Sequence, residues 1–147
     1  MNDALIQFQR PMRDYIEYLE KITPRSIRLV EKIAAPQMYF KNPLNEARGV
    51  EEVERVFEHM LKSVQSPKYK AMDYGFGRDG VGYIRWSFSY VNKGGSHTLN
   101  GMSEITFSDD GKITSHIDYW DAGEGVYEHI PLLGGLIRFV KSKISDR

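Results

Sequence analysis

The chain contains no cysteine. A disulfide framework, a thiolate nucleophile and a cysteine-ligated metal are thereby removed from consideration. Histidine is scarce, with four residues at His59, His97, His116 and His129, and no spacing among them matches a zinc motif such as HExxH. A metal or other cofactor is not expected. Neither sign of charge is in excess, because 20 lysines and arginines balance 20 aspartates and glutamates. The summed charge offers a phosphate backbone no attraction, so nucleic acid is not an expected partner. No stretch reaches the roughly 18 consecutive apolar residues of a membrane span. The opening MNDALIQFQRPMRDYIEYLEK carries charges throughout and no apolar run of signal-peptide length. The expectation is a soluble, cytoplasmic protein without membrane contact. Repeats, linkers and low-complexity tracts are also missing, so one architecture must account for residues 1–147 as a single domain.

What is present is the composition of a packed core: 41% hydrophobic residues and 12% aromatics, nine tyrosines among them. A chain of 147 residues is long enough to bury most of its apolar surface.

The order of elements follows from periodicity. Met12, Tyr15, Ile16 and Leu19 recur at helical spacing, Pro11 suits a first turn, and Thr23-Pro24 ends the pattern. Ile27, Val30, Ile33 and Ala34 predict a second helix that stops at Pro36, and QMYFKNP then reads as a short strand. Gly49 precedes VEEVERVFEHMLKSV, whose apolar residues from Val50 to Val64 fall at intervals of three and four around a charged face. After Pro67 the period changes to two. Turn signals at Gly77 to Gly80, Lys93 to Ser96 and Ser108 to Gly111 divide four strands, near residues 68–76, 81–91, 97–107 and 112–121. A helical pattern returns in YEHIPLLGGLIRFVKSKI. Helices followed by a strand meander predict an α+β fold, with N-terminal helices packed on a strongly curved antiparallel sheet and a C-terminal helical tail.

Alternation also divides the strand faces. Ile84, Trp86, Phe88 and Tyr90 point one way, and Tyr83, Arg85, Ser87 and Ser89 the other. In GKITSHIDYWD, His116, Asp118 and Trp120 share a face opposite Ile117, Tyr119 and Asp121. The expectation is a helix-covered cavity lined by Arg85 and Asp118, with the Trp86, Phe88 and Tyr119 side packed on a second copy as a homodimer through the outer sheet face. An Asp118–Arg85 ion pair is the purely structural alternative. His116 is expected to reach Asp118 through a bridging water. Glu104, an acid in an otherwise apolar strand, must face water, the cavity or a partner. Asn42 before Pro43 suits a turn, while Trp120, Met102 and Phe57 are core residues or cavity walls.

The order helix, helix, strand, helix, four strands, together with YFKNPLNEARGVEEVERVFEHML and DDGKITSHIDYWD, resembles the nuclear transport factor 2-like superfamily across the whole chain. That group includes ketosteroid isomerases, SnoaL-like polyketide cyclases and limonene-epoxide hydrolases. The resemblance implies a cystatin-like cone around a pocket for an apolar small molecule, polyketide-, steroid- or lipid-like. Against the epoxide hydrolases, the water-activating aspartate falls on Asp118, the arginine on Arg85 and the pocket tyrosine on Tyr39. The acid two residues past the arginine is replaced by Ser87, and the asparagine two past the tyrosine by Lys41, with Asn42 one position late. Against the isomerases, the base falls on Asn42, the second aspartate on Ser103 or, with a one-residue slip, Glu104, and Tyr15 or Tyr18 supplies the tyrosine. SnoaL-like cyclases are similar in carrying an acid or base on a late strand, where Asp118 or Asp121 stands. The implied catalytic set is Asp118, Arg85, Asn42 and Tyr39, with Tyr15, Phe57, Met102, Glu104, His116 and Trp120 against substrate. The implied activity is of isomerase, cyclase or hydrolase type; a non-catalytic binding protein or a dimeric interaction module of the same fold is the alternative.

Overall fold

The computed structural model describes residues 6–121. Helix α1 (Gln9–Glu20) buries Met12, Tyr15, Ile16, Tyr18 and Leu19 along one stripe. A 3₁₀ turn (Ile27–Leu29) and the single-turn helix α2 (Val30–Ile33) follow. A helix running from Ile27 to the stop at Pro36 was expected here, but Ala34 is already extended, with ψ of 150°, and opens strand β1 (Ala34–Lys41). Pro36 lies inside that strand and has no N–H to continue a helix. A short strand absent from the sequence reading, β2 (Glu46–Arg48), pairs with β1, and α3 (Val50–Lys62) packs Val53 and Phe57 inward. Gly49 makes this junction: its φ of 92° belongs to glycine, and its N–H donates to the Met38 carbonyl at 2.8 Å.

The meander comprises β3 (Gln65–Phe76), β4 (Gly82–Asn92), β5 (Gly95–Phe107) and β6 (Ile113–Tyr119). The sheet order is β2-β1-β6-β5-β4-β3. Every pair is antiparallel except β1 with β6, which is parallel and brings the first strand beside the last. Pro67 sits in β3, an edge strand, where its missing N–H is tolerated. Register shifts in β1–β6, β3–β4 and β5–β6 are the irregularities that bend such a sheet. The fold is therefore α+β, with helices on one face of a curved, unclosed six-stranded sheet.

The inner face carries the core. Met38 and Phe40 of β1, Ile84 and Trp86 of β4, and Ile105 of β5 meet Met12, Tyr15, Val53 and Phe57 from the helices. The simple alternation rule holds on β4: Trp86 is 4% exposed and its neighbour Arg85 lies in solvent. The expected arrangement, with Arg85 in the cavity and Trp86 and Phe88 outside, is thus reversed. Aromatic bulk goes to the concave side because the helices can cover it there, whereas an unpaired guanidinium on that side would be stripped of water. Among the described residues no helix is long and apolar enough to cross a membrane. The predicted C-terminal helical tail lies outside the described residues.

Candidate active site

A cavity of about 400 Å³ opens between α1, α3 and the inner face of the sheet. Its described walls are mostly apolar, with Leu19, Phe57 and Met60 from the helices and Trp86, Phe88 and Leu99 from the strands. Asp118 and His116 face into it from β6.

The two side chains stand on the same face of one strand, two residues apart, and bond directly. His116 Nε2 lies 2.6 Å from Asp118 Oδ1. The bridging water expected from sequence is not required, since a tilted imidazole spans the gap by itself. On the other side of the ring, Nδ1 lies 2.5 Å from the hydroxyl of Tyr15 on α1. Tyr15 is wholly buried, and burial first, then the neighbouring Tyr18 and Asp118, hold its hydroxyl well above the ordinary tyrosine range. It therefore stays a phenol and donates to Nδ1. With Nδ1 accepting from Tyr15, Nε2–H donates to the Asp118 carboxylate.

A second chain of bonds reaches the same carboxylate oxygen. Trp86 Nε1 donates to Ser103 Oγ at 2.8 Å, and Ser103 donates to Asp118 Oδ1 at 2.5 Å. Ser103 is 1% exposed and sits directly across from Asp118 in the β5–β6 register. The Ser103-or-Glu104 question is thereby resolved: serine points in, and glutamate points out to accept from the Tyr119 hydroxyl at 2.9 Å. Gly101 makes room for this arrangement. It lies opposite Trp86, and a Cβ there would stand 2.5 Å from the indole ring.

Asp118 thus receives two hydrogen bonds on Oδ1 and keeps 10% of its side-chain surface open. Two further polar atoms of the wall are shut off from solvent and bonded to nothing among the described residues: the Tyr69 hydroxyl on β3 and Trp120 Nε1, just past β6. Burial first, then the Asp118 charge, hold the Tyr69 hydroxyl far above its usual range, so it too remains a donor. Chemically, the site sets an oriented carboxylate in an apolar hollow.

The SnoaL-like domain model matches residues 15–116, more than half of the chain. The chain belongs to the SnoaL-like family. Solved relatives share its fold at low identity. A SnoaL-like polyketide cyclase assignment from Jannaschia aligns at 8% identity over 79% of this chain and 86% of its own, with a TM-score of 0.67. SalBIII, an epoxide hydrolase/cyclase-like enzyme of pyran ring formation in the polyether salinomycin, aligns at 15% over 82% and 95%, with a TM-score of 0.66. A nuclear transport factor 2-like protein of unknown function from Exiguobacterium aligns at 15% over 76% and 98%, with a TM-score of 0.65. No curated protein matches the chain.

Within this SnoaL-like domain the structure brings together Asp118, His116, Phe57 and Trp120 in the cavity, with Tyr15 behind His116. Asn42 also reaches the wall, but its side-chain oxygen accepts from the N–H groups of Leu44 and Asn45 at 2.9 and 2.7 Å. The turn at Pro43 uses the oxygen that substrate positioning would need. Four expected site residues lie elsewhere. Arg85 and Met102 are exposed on the outer sheet face, Met102 at 47%. Glu104 is bonded to Tyr119 there, and Tyr39 bonds Glu46 at 3.0 Å while Arg48 stacks over its ring. The physical reason is common to all four: strand alternation places each one residue away from an inward-facing neighbour. The Arg85–Asp118 ion pair is absent for the same reason. Tyr69 and the inward Trp86 were missed as site residues, while Ser103 stood as the alternative to Glu104. The alternation Ile84, Trp86, Phe88, Tyr90 was the signal for Trp86; Tyr69 had only its place in a short period-two run. Among the described residues no group of three or more histidine, aspartate or glutamate side chains could hold a metal ion.

Proposed function

We propose that this SnoaL-like protein is an enzyme that moves a proton on a largely apolar, neutral small molecule, with Asp118 as general base and then acid. The observation that carries this reading is the fixing of Asp118 through Oδ1 alone, by Ser103 and His116, inside an apolar cavity. Two donors on one oxygen orient the carboxylate, and Oδ2 is left for substrate. In the step proposed, Asp118 takes a proton from a carbon next to a carbonyl, the C–H electrons pass to the carbonyl oxygen, and the same proton is returned to another atom of the substrate. Return of the proton to a different carbon of the enolate isomerises the substrate; where the enolate carbon instead attacks a second carbonyl carbon, that carbonyl's π pair moves onto its oxygen, the oxygen takes the proton, and a ring closes with no net loss of atoms. The cyclase and cyclase-like relatives support this class of chemistry.

The test is carbon-bound hydrogen exchange of apolar ketones in D₂O, followed by NMR, comparing the native protein with Asp118→Asn. General-base catalysis is worth about 10²- to 10⁴-fold, so the variant should lose at least about 100-fold in exchange rate. Equal rates would end the catalytic reading. Ligand binding without exchange would leave a binding protein of the same fold, which the departures at Ser87 and Asn42 favour.

We also propose that two copies meet through the outer sheet face. Tyr83, Met102 and Tyr119 stand there 39%, 47% and 56% exposed. Met102 pairs across the strands with Arg85 and Tyr119, and Tyr83 with Glu104. An apolar patch flanked by one cation and one anion is complementary to itself under two-fold rotation.

A further inference from the structure

We infer that the cavity is also a receptor for an apolar organic cation, an ammonium compound whose charge rests against Asp118 and whose hydrocarbon body lies among the aromatic side chains of the wall. The inference goes beyond the proton-transfer reading, since it needs the carboxylate and its surroundings and no chemistry.

Three observations carry it. The first is a charge without a counter-charge. The Asp118 side chain keeps only 10% of its surface open and faces the cavity. Its two hydrogen bonds, from the Ser103 hydroxyl and from His116, both fall on Oδ1, and Oδ2 has no partner among the described residues. The described lining holds no lysine or arginine, and no aspartate or glutamate besides Asp118. His59, the other histidine of the lining, is exposed on α3. A carboxylate withdrawn from water is costly, and a cation brought beside it lowers that cost.

The second is the kind of wall around the carboxylate. Trp86 is joined to Asp118 through Ser103, by bonds of 2.8 and 2.5 Å. The Phe40 ring centroid lies 5.0 Å from that of His116, whose Nε2 is 2.6 Å from Asp118 Oδ1. Trp120, two residues beyond Asp118, has its ring centroid 5.9 Å from that of Trp86. Aromatic rings attract cations through their negative faces, most of all where water is excluded.

The third is what the site turns away. An anion would meet Asp118 with no cation to offset it. A hard metal ion needs several oxygen ligands, and among the described residues no group of three or more histidine, aspartate or glutamate side chains could hold one. A small hydrated cation would lose its water to hydrocarbon. An alkylated ammonium spreads its charge over carbon and sheds little water, so it suits both the carboxylate and the walls. The substrate of the proton-transfer reading brings a C–H to Oδ2 and gives up its proton; an ammonium of similar outline holds the same oxygen, gives up nothing and keeps the substrate out.

The experiment compares benzyltrimethylammonium with neopentylbenzene, the hydrocarbon probe, in which a quaternary carbon replaces the nitrogen, and with the anion phenylacetate. The cation bears a fixed charge at every pH. Affinities are measured by NMR titration of ¹⁵N-labelled native chain and Asp118→Asn. The native chain should bind the cation most tightly and the anion least. The ratio of cation to hydrocarbon affinity should fall at least about tenfold in Asp118→Asn. Hydrocarbon affinity reports whether the variant folds. Should the variant bind no hydrocarbon, the native order decides: the cation first supports the inference, the hydrocarbon first overturns it. An unchanged ratio in a variant that binds the hydrocarbon overturns the inference, and so does binding of none of the three compounds by the native chain. Cation binding that depends on Asp118, without hydrogen exchange of ketones, supports the inference and removes only the catalytic reading. Exchange that depends on Asp118, without preference for the cation, overturns the inference and leaves the catalytic reading standing.

Discussion

Tyr15 and His116, 101 positions apart in the chain, meet at 2.5 Å, hydroxyl oxygen against Nδ1. This contact ties the first helix to the last described strand and sets the face that the imidazole turns to Asp118. Tyr15→Phe keeps the ring and deletes the donor, leaving Nδ1 unpaired in the core. We expect a loss of about 1–3 kcal/mol in unfolding free energy, read from urea denaturation. Exchange activity should fall as well, because the tautomer is no longer imposed. A variant with unchanged stability would show that the bond contributes nothing net.

Ser103→Ala breaks two bonds at once, leaving the Trp86 N–H without an acceptor and Asp118 with one donor fewer. The carboxylate should turn more freely, so kcat should fall while affinity for the hydrocarbon probe is retained. Identical kcat would mean that His116 alone orients Asp118.

Gly101→Ala tests the space behind the indole. The added methyl would meet the Trp86 ring at 2.5 Å and the Tyr119 carbonyl at 2.8 Å, and backbone cannot yield as a flexible side chain can. Overpacking of this kind costs about 1–3 kcal/mol, and displacement of Trp86 should narrow the cavity. Thermal unfolding and probe titration together check this; native values for both would place the ring elsewhere in solution.

Glu54 on α3 is half-buried, and burial first, then the Glu31 carboxyl, raise it above the ordinary value of 4.5. For an acid raised in the folded state, the stabilising contribution is full below the unfolded value and is lost as pH rises through the folded one. Glu54→Gln should therefore be more stable than the native chain at pH 7, with the gap closing at pH 4. Denaturation curves at the two pH values give the sign directly.

The outer face makes a separate prediction. Met102→Lys introduces a cation into the exposed patch, and sedimentation velocity at micromolar concentration should show the native chain as a dimer and the variant as a monomer. Probe affinity should stay within about twofold, since Met102 faces away from the cavity and the two sites are independent. A monomeric native chain would rule out the interface.

The sequence by itself determined the elements and their order. Period 3.6 in α1 and α3, period two after Pro67, and the turns at Gly80, Gly95 and Gly111 are local signals, because each reflects one segment's need to bury one face. Asp118 and His116 were legible for the same reason, as polar residues on a face shared with Trp120. What only the tertiary structure decided was which face became the inside. Arg85, Tyr39, Met102 and Glu104 each sit one residue from an inward neighbour, and a period-two pattern names two faces without choosing between them. The choice depends on the helices and on strand register, through partners far apart in sequence: Tyr15 with His116, Trp86 with Ser103, Ser103 with Asp118.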